Sequence, residues 1–94
     1  MKVYKFEWEC HTALTPTEAG LLVQDLSKFT AEVMLANDDN TVQVDAKSIL
    51  GLLSLAIYEG DTYTVWVNAK EDVFPKIKDR FESVGETFNL EEVN

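Results

Sequence analysis

A single cysteine, Cys10, rules out an internal disulfide and any metal site built on several thiolates. It fits a reduced, cytoplasmic setting. Basic residues are scarce. Eight Lys and Arg stand against seventeen Asp and Glu, for a net charge of −9. Such a surface repels phosphate backbones and anionic lipid, which argues against nucleic acid and membrane as partners and favours basic protein surfaces. No apolar run is long enough to span a bilayer. Lys2, Lys5 and Glu7 interrupt the N-terminus where a signal peptide needs an unbroken apolar segment. Enzyme motifs are missing as well: no paired cysteine and histidine motif, no glycine-rich phosphate loop, no HExxH. No catalytic activity, cofactor or metal is therefore expected. Asp38-Asp39 and Glu91-Glu92 are acidic clusters, but they fall in a turn and a tail and lack the spacing of a calcium loop.

What is present suits one compact domain. The 94 residues are 46% hydrophobic, and a domain of this size buries roughly 60–65% of its unfolded surface. Tyr4, Phe6 and Trp8 alternate with Lys5, Glu7 and Glu9, the period of a half-buried strand. Residues 16–29 read as a helix with Leu22, Leu26 and Phe29 on one face. Ala31, Val33 and Leu35 resume alternation, and Val42 and Val44 continue it beyond the turn-rich Asn37-Asp38-Asp39-Asn40, a hairpin signal. Ser48 precedes a short apolar helix over 49–55. Tyr63, Val65 and Val67 mark a further strand after Gly60-Asp61. Asp72 is the expected cap of a last helix, with Pro75 in its first turn and Gly85 as its stop. Val73, Ile77, Phe81 and Val84 form its core stripe.

The predicted order is β-α-β-β-α-β-α, an α+β domain over residues 1–85. The hairpin makes the sheet antiparallel, so four strands with the helices on one face are expected. The other face would carry Lys5, Glu7, Glu32, Gln43 and Thr64 into solvent. Residues 86–94 form an acidic C-terminal tail with Phe88, Leu90 and Val93, which either docks or frays.

Two stretches carry a family likeness. Leu21-Leu22-Val23-Gln24 with Ser27-Lys28-Phe29, and then the run from Ala46-Lys47-Ser48 through Leu55, resemble HPr, the small phosphocarrier of the bacterial sugar phosphotransferase system, and its Crh-like members. The likeness covers roughly residues 3–85 and implies an open-faced β-sandwich. The family's phosphoacceptor is a histidine at a helix N-terminus followed by Ala-Arg-Pro. Counting back from Leu22-Val23-Gln24, the histidine position falls on Thr15, the arginine on Thr17 and the proline on Glu18. The resemblance thus implies a protein without the phosphocarrier histidine. Thr15 as N-cap, Pro16 at the first helical position and Glu18 three residues past the cap make a capping box instead. His11, the only histidine, lies four residues upstream in the loop and is a poor replacement.

The resemblance also implies where function has moved. In many Gram-positive bacteria the serine at the position of Ser48 is phosphorylated by HPr kinase, and the modified protein binds a LacI-type regulator in carbon catabolite repression. Ser48 is also a good N-cap, and a phosphate there would meet the positive end of a helix dipole. Gly20, Lys28, Lys47, Ile49, Leu50 and Leu53 resemble the family's partner-docking surface. Three readings stay open from sequence: a regulatory protein acting through Ser48, a phosphocarrier with a substitute nucleophile, and a structural or self-associating module of unknown oligomeric state.

Overall fold

The computed structural model describes residues 1–93. The chain runs β1 (Lys2–Cys10), α1 (Pro16–Leu26), β2 (Glu32–Ala36), β3 (Gln43–Asp45), α2 (Ile49–Leu55), β4 (Thr62–Ala69), α3 (Phe74–Glu82) and β5 (Gly85–Glu92). Every strand pairing is antiparallel, in the order β3-β2-β4-β1-β5. The predicted elements all form, and the three helices bury one face of the sheet.

The alternation in the sequence builds that face. Phe6, Trp8 and Cys10 on β1, Val33 and Leu35 on β2, and Val65 and Val67 on β4 are fully buried. Leu22 and Leu26 of α1, Leu52 of α2, and Ile77 and Phe81 of α3 close over them. Phe81 meets Trp8 and Phe6 edge-on, with ring centroids 5.1 and 5.8 Å apart. The buried Trp8 indole N–H needs an acceptor. It finds the Phe81 carbonyl at 2.9 Å, which also accepts the Val84 N–H at 3.2 Å where the end of α3 turns. That bond satisfies the indole and ties α3 to the sheet.

The sheet has five strands rather than the predicted four. The acidic segment after Gly85 pairs with β1, from Cys10↔Gly85 to Tyr4↔Glu92. Its polarity conceals it in the sequence. β5 lies at the edge, and Phe88 and Leu90 are exposed rather than buried. Its charges suit the strand beside it, since Lys2 pairs with Glu92 at 3.1 Å and Lys5 with Glu91 at 3.8 Å. The register shifts between Lys5 and Glu7, where Asn89 and Leu90 stand against Phe6 alone. Asn89 adopts φ 54° there, and its side-chain amide donates to the Glu7 carboxylate. That is a β-bulge with asparagine at the left-handed position.

Four local expectations change. Helix α1 ends at Leu26 rather than 29 because Lys28 and Phe29 donate to the Asp25 and Leu26 carbonyls, tightening the last turn. Asp72 does not cap α3, which follows a turn from Lys70 and has Val73 as its cap residue without a side-chain bond. Gly85 is not a helix stop but the first residue of β5, and Ser83 is the C-cap. Thr64 is buried, not solvated. It sits on the central strand between Glu7 and Ala36, and neighbours on both sides cover its short side chain.

Candidate functional site

The N-termini of α1 and α2 hold the residues the sequence singles out, and these two helices pack together. Thr15 caps α1 with extended backbone, and its hydroxyl accepts the Glu18 N–H at 3.3 Å. The capping box closes on one side only. The Thr15 N–H donates to the Ala13 carbonyl at 3.1 Å, so the Glu18 carboxylate has no bond to return. That carboxylate stays in the first turn as an acidic group beside the helix N-terminus. Thr17 is exposed, and no basic side chain belongs to this turn. A cap, a proline and an acid here favour the helix itself over a bound anion.

Ser48 caps α2 in the same way. Its backbone is extended and its hydroxyl accepts the Gly51 N–H at 3.0 Å. Asp45 shapes the approach, its carboxylate accepting the Lys47 N–H at 2.8 Å and its carbonyl the Ser48 N–H at 3.0 Å. Gly51 is closely approached, since a Cβ would lie 3.2 Å from the Asp45 carbonyl oxygen and the neighbour would have to give by a few tenths of an ångström. Ser48 is half-exposed while its hydroxyl serves as the cap.

Beside Ser48 the surface is apolar. Leu50 is 80% exposed and Ile49 43%. Leu53 differs from them: it is half-buried and packs against the core. Leu21 on α1 is 47% exposed and belongs to the same pair of helices. Gly20 is half-exposed, with nothing within 4 Å of an added Cβ. Of the two bases, Lys28 is exposed and 3.4 Å from Asp25. Lys47 is engaged with the protein, its ammonium donating to the Phe29 carbonyl at 2.8 Å.

Two contacts near this surface have no signal in the sequence. Arg80 of α3 donates to Asp25 of α1 at 2.6 Å, across 55 positions of chain. That hydrogen bond, with Lys28 adding to it, holds the Asp25 carboxyl below the usual range. Cys10, at the end of β1, is fully buried. Burial pushes its thiol up, and its S–H donates to the Thr12 carbonyl at 2.6 Å. A buried, protonated thiol is a poor nucleophile. His11 pairs with Glu9 at 3.0 Å on the exposed surface and does not join the N-terminus of α1.

This arrangement has known counterparts. Residues 9–82 match the family model described as the PTS HPr component phosphorylation site. The chain belongs to the HPr family. It is 38% identical over 66 residues to the HPr-like protein Crh of Halalkalibacterium halodurans, covering 70% of this chain and 76% of that one. Crh of Bacillus subtilis is 37% identical over 68 residues, 72% of this chain and 78% of the relative. Among solved structures, the phosphocarrier protein HPr of Bacillus anthracis superposes with a TM-score of 0.75 at 26% identity, covering 87% of this chain and 96% of that one. HPr-family proteins are phosphocarriers or regulators rather than enzymes. No helix among the described residues is long and apolar enough to cross a membrane.

Proposed function

We propose that this HPr-family protein is a cytoplasmic regulatory protein that binds its partners through Ser48 and the apolar surface beside it, and that it has lost the phosphocarrier reaction. The observation that carries this reading is the 80% exposure of Leu50, two residues from a half-exposed cap serine. A large aliphatic side chain left in water next to a modifiable hydroxyl suits a docking face that phosphorylation adjusts.

The loss of carrier chemistry rests on α1. Thr15 occupies the cap where the family likeness sets the phosphoacceptor histidine, so a helix-capping hydroxyl stands there in place of an imidazole nitrogen. Glu18 adds negative charge where a phosphoryl group would arrive. With Thr17 at the arginine position, the first turn of α1 carries no cation of its own to steady a phosphate. A threonine ester would also be a poor relay, because it does not return phosphate readily as a phosphoimidazole does.

At Ser48 the physics favours phosphate. The dianion would face the N–H groups at the start of α2 and the positive end of the helix dipole. The kinase and partner follow from the likeness to Crh: an HPr kinase as the modifying enzyme and a LacI-type regulator as the partner, in carbon catabolite control. The engagement of Lys47 with Phe29 leaves Lys28 as the freer base on this face. The partner is therefore held more by apolar contact than by attraction to acidic groups.

A binding titration tests the reading. The protein is treated with HPr kinase and ATP and titrated with a LacI-type regulator, beside Ser48→Ala treated identically. Binding by the wild type and not by the variant supports the proposal. Equal binding by both removes Ser48 from the mechanism.

A further inference from the structure

Glu9 is the penultimate residue of β1, and Glu86 is its direct cross-strand partner on β5. Like charges placed directly opposite one another in a sheet are destabilising. His11 lies two residues beyond Glu9, and its Nε2 is 3.0 Å from a Glu9 carboxylate oxygen. The ligating atoms of Glu9, His11 and Glu86 all lie within 4.8 Å of one another.

The backbone under this cluster is fixed. The His11 N–H donates to the Val84 carbonyl at 2.9 Å. Cys10 is bonded on both sides of its peptide, donating to the Asp61 carbonyl at 3.0 Å and accepting from the Gly60 N–H at 2.7 Å. Gly85 lies so close to the Glu9 carbonyl that a Cβ there would be 2.2 Å from it. Thus β5 cannot hold Glu86 further from Glu9 without giving up its pairing. Glu9 is half-buried, while His11 and Glu86 are exposed, which leaves an open path from solvent.

We propose that Glu9, His11 and Glu86 bind one divalent transition-metal ion, with zinc as the best match. One imidazole nitrogen and two carboxylate oxygens make a three-ligand set, leaving a fourth tetrahedral position for water. Zinc holds such ligands at about 2.0–2.2 Å, so the three donor atoms, already within 4.8 Å of one another, would draw closer around the ion by side-chain rotation. The imidazole favours zinc over magnesium and calcium, which take oxygen ligands. A bound dication also offsets the repulsion between Glu9 and Glu86. The site is separate from Ser48 and needs no part of the docking proposal.

Titration of the tag-free full chain with zinc chloride at pH 7.5 tests this, followed by calorimetry and by the NMR resonances of the His11 ring. The expected result is one zinc per chain, a shift of the His11 ring and Glu86 amide signals, and a higher melting temperature. His11→Ala and Glu86→Gln should each weaken zinc binding about tenfold or more, since even groups behind a metal ligand are worth that much. Glu86→Gln removes the like-charge contact and so keeps the fold, which circular dichroism verifies. Zinc binding unchanged in Glu86→Gln, no shift at His11, or equal affinity for magnesium chloride would overturn the proposal.

Discussion

Arg80 holds Asp25 through a 2.6 Å hydrogen bond that joins the last turn of α3 to the last turn of α1. The bond depresses the Asp25 carboxyl in the folded state. A carboxyl depressed on folding stabilises the protein above its unfolded pKa, and that stability is lost as pH falls through the folded value. Asp25→Asn should therefore melt below the wild type at neutral pH. The two melting temperatures should converge as pH drops below the ordinary aspartate value of about 3.9. Thermal melts from pH 2 to 7 follow this. Glu82, held down by Thr87 and then Lys78, contributes in the same direction in both proteins and cancels.

Gly85→Ala tests the seating of β5. An added Cβ would lie 2.2 Å from the Glu9 carbonyl oxygen and 2.5 Å from the Trp8 indole nitrogen. Relief requires the strand to move away from β1 or the Trp8–Phe81 bond to give. Overpacking of this kind costs about 1–3 kcal/mol, and urea denaturation should show a midpoint lowered accordingly.

Ala56 ends α2 with φ 56°, a left-handed conformation that costs an L-residue with a Cβ. Ala56→Gly should raise stability by about 1 kcal/mol, or about 4–8 °C in melting temperature for a domain of this size. Calorimetry checks the gain. Ser48 and its bond to Gly51 are untouched, so any function of the α2 N-terminus should persist.

Leu50→Ser removes the most exposed large side chain of the α2 surface. Stability should stay within about 0.5 kcal/mol, as for surface changes generally. Affinity for the proposed phosphorylation-dependent partner should fall about tenfold or more, the loss typical of an interface anchor. Gly20→Ala is the companion. The helix interior has room for the methyl group, so α1 should gain about 1 kcal/mol. A drop in partner affinity with that gain would mark Gly20 as a close approach.

The parts of the fold legible in the sequence are those where side-chain period and burial agree. Phe6, Trp8, Val65 and Val67 alternate because one sheet face is covered and the other is open. Leu22, Leu26, Ile77 and Phe81 recur at helical spacing because their helices lie on that face. β5 lacks such a pattern. It is an edge strand with Phe88 and Leu90 exposed, and hydrogen bonding to β1, not a hydrophobic stripe, defines it. Both caps, Thr15 and Ser48, could be read from residue type and spacing because capping is local. Lys47 is expected on the docking surface, and nothing near it in sequence reveals the Phe29 carbonyl that receives its ammonium. The Asp25–Arg80 bond and the Glu9, His11, Glu86 cluster were hidden for the same reason. Each depends on chain segments that only the fold brings together.

The proposed exchange of a carrier histidine for a regulated serine is tested most directly by intact-mass spectrometry after two parallel incubations. One uses HPr kinase with ATP; the other uses the upstream phosphotransferase enzyme with phosphoenolpyruvate. The expected result is one acid-stable phosphate from ATP, absent in Ser48→Ala, and none from phosphoenolpyruvate. An acid-labile phosphate acquired from phosphoenolpyruvate, with Ser48 left unmodified by the kinase, would contradict it.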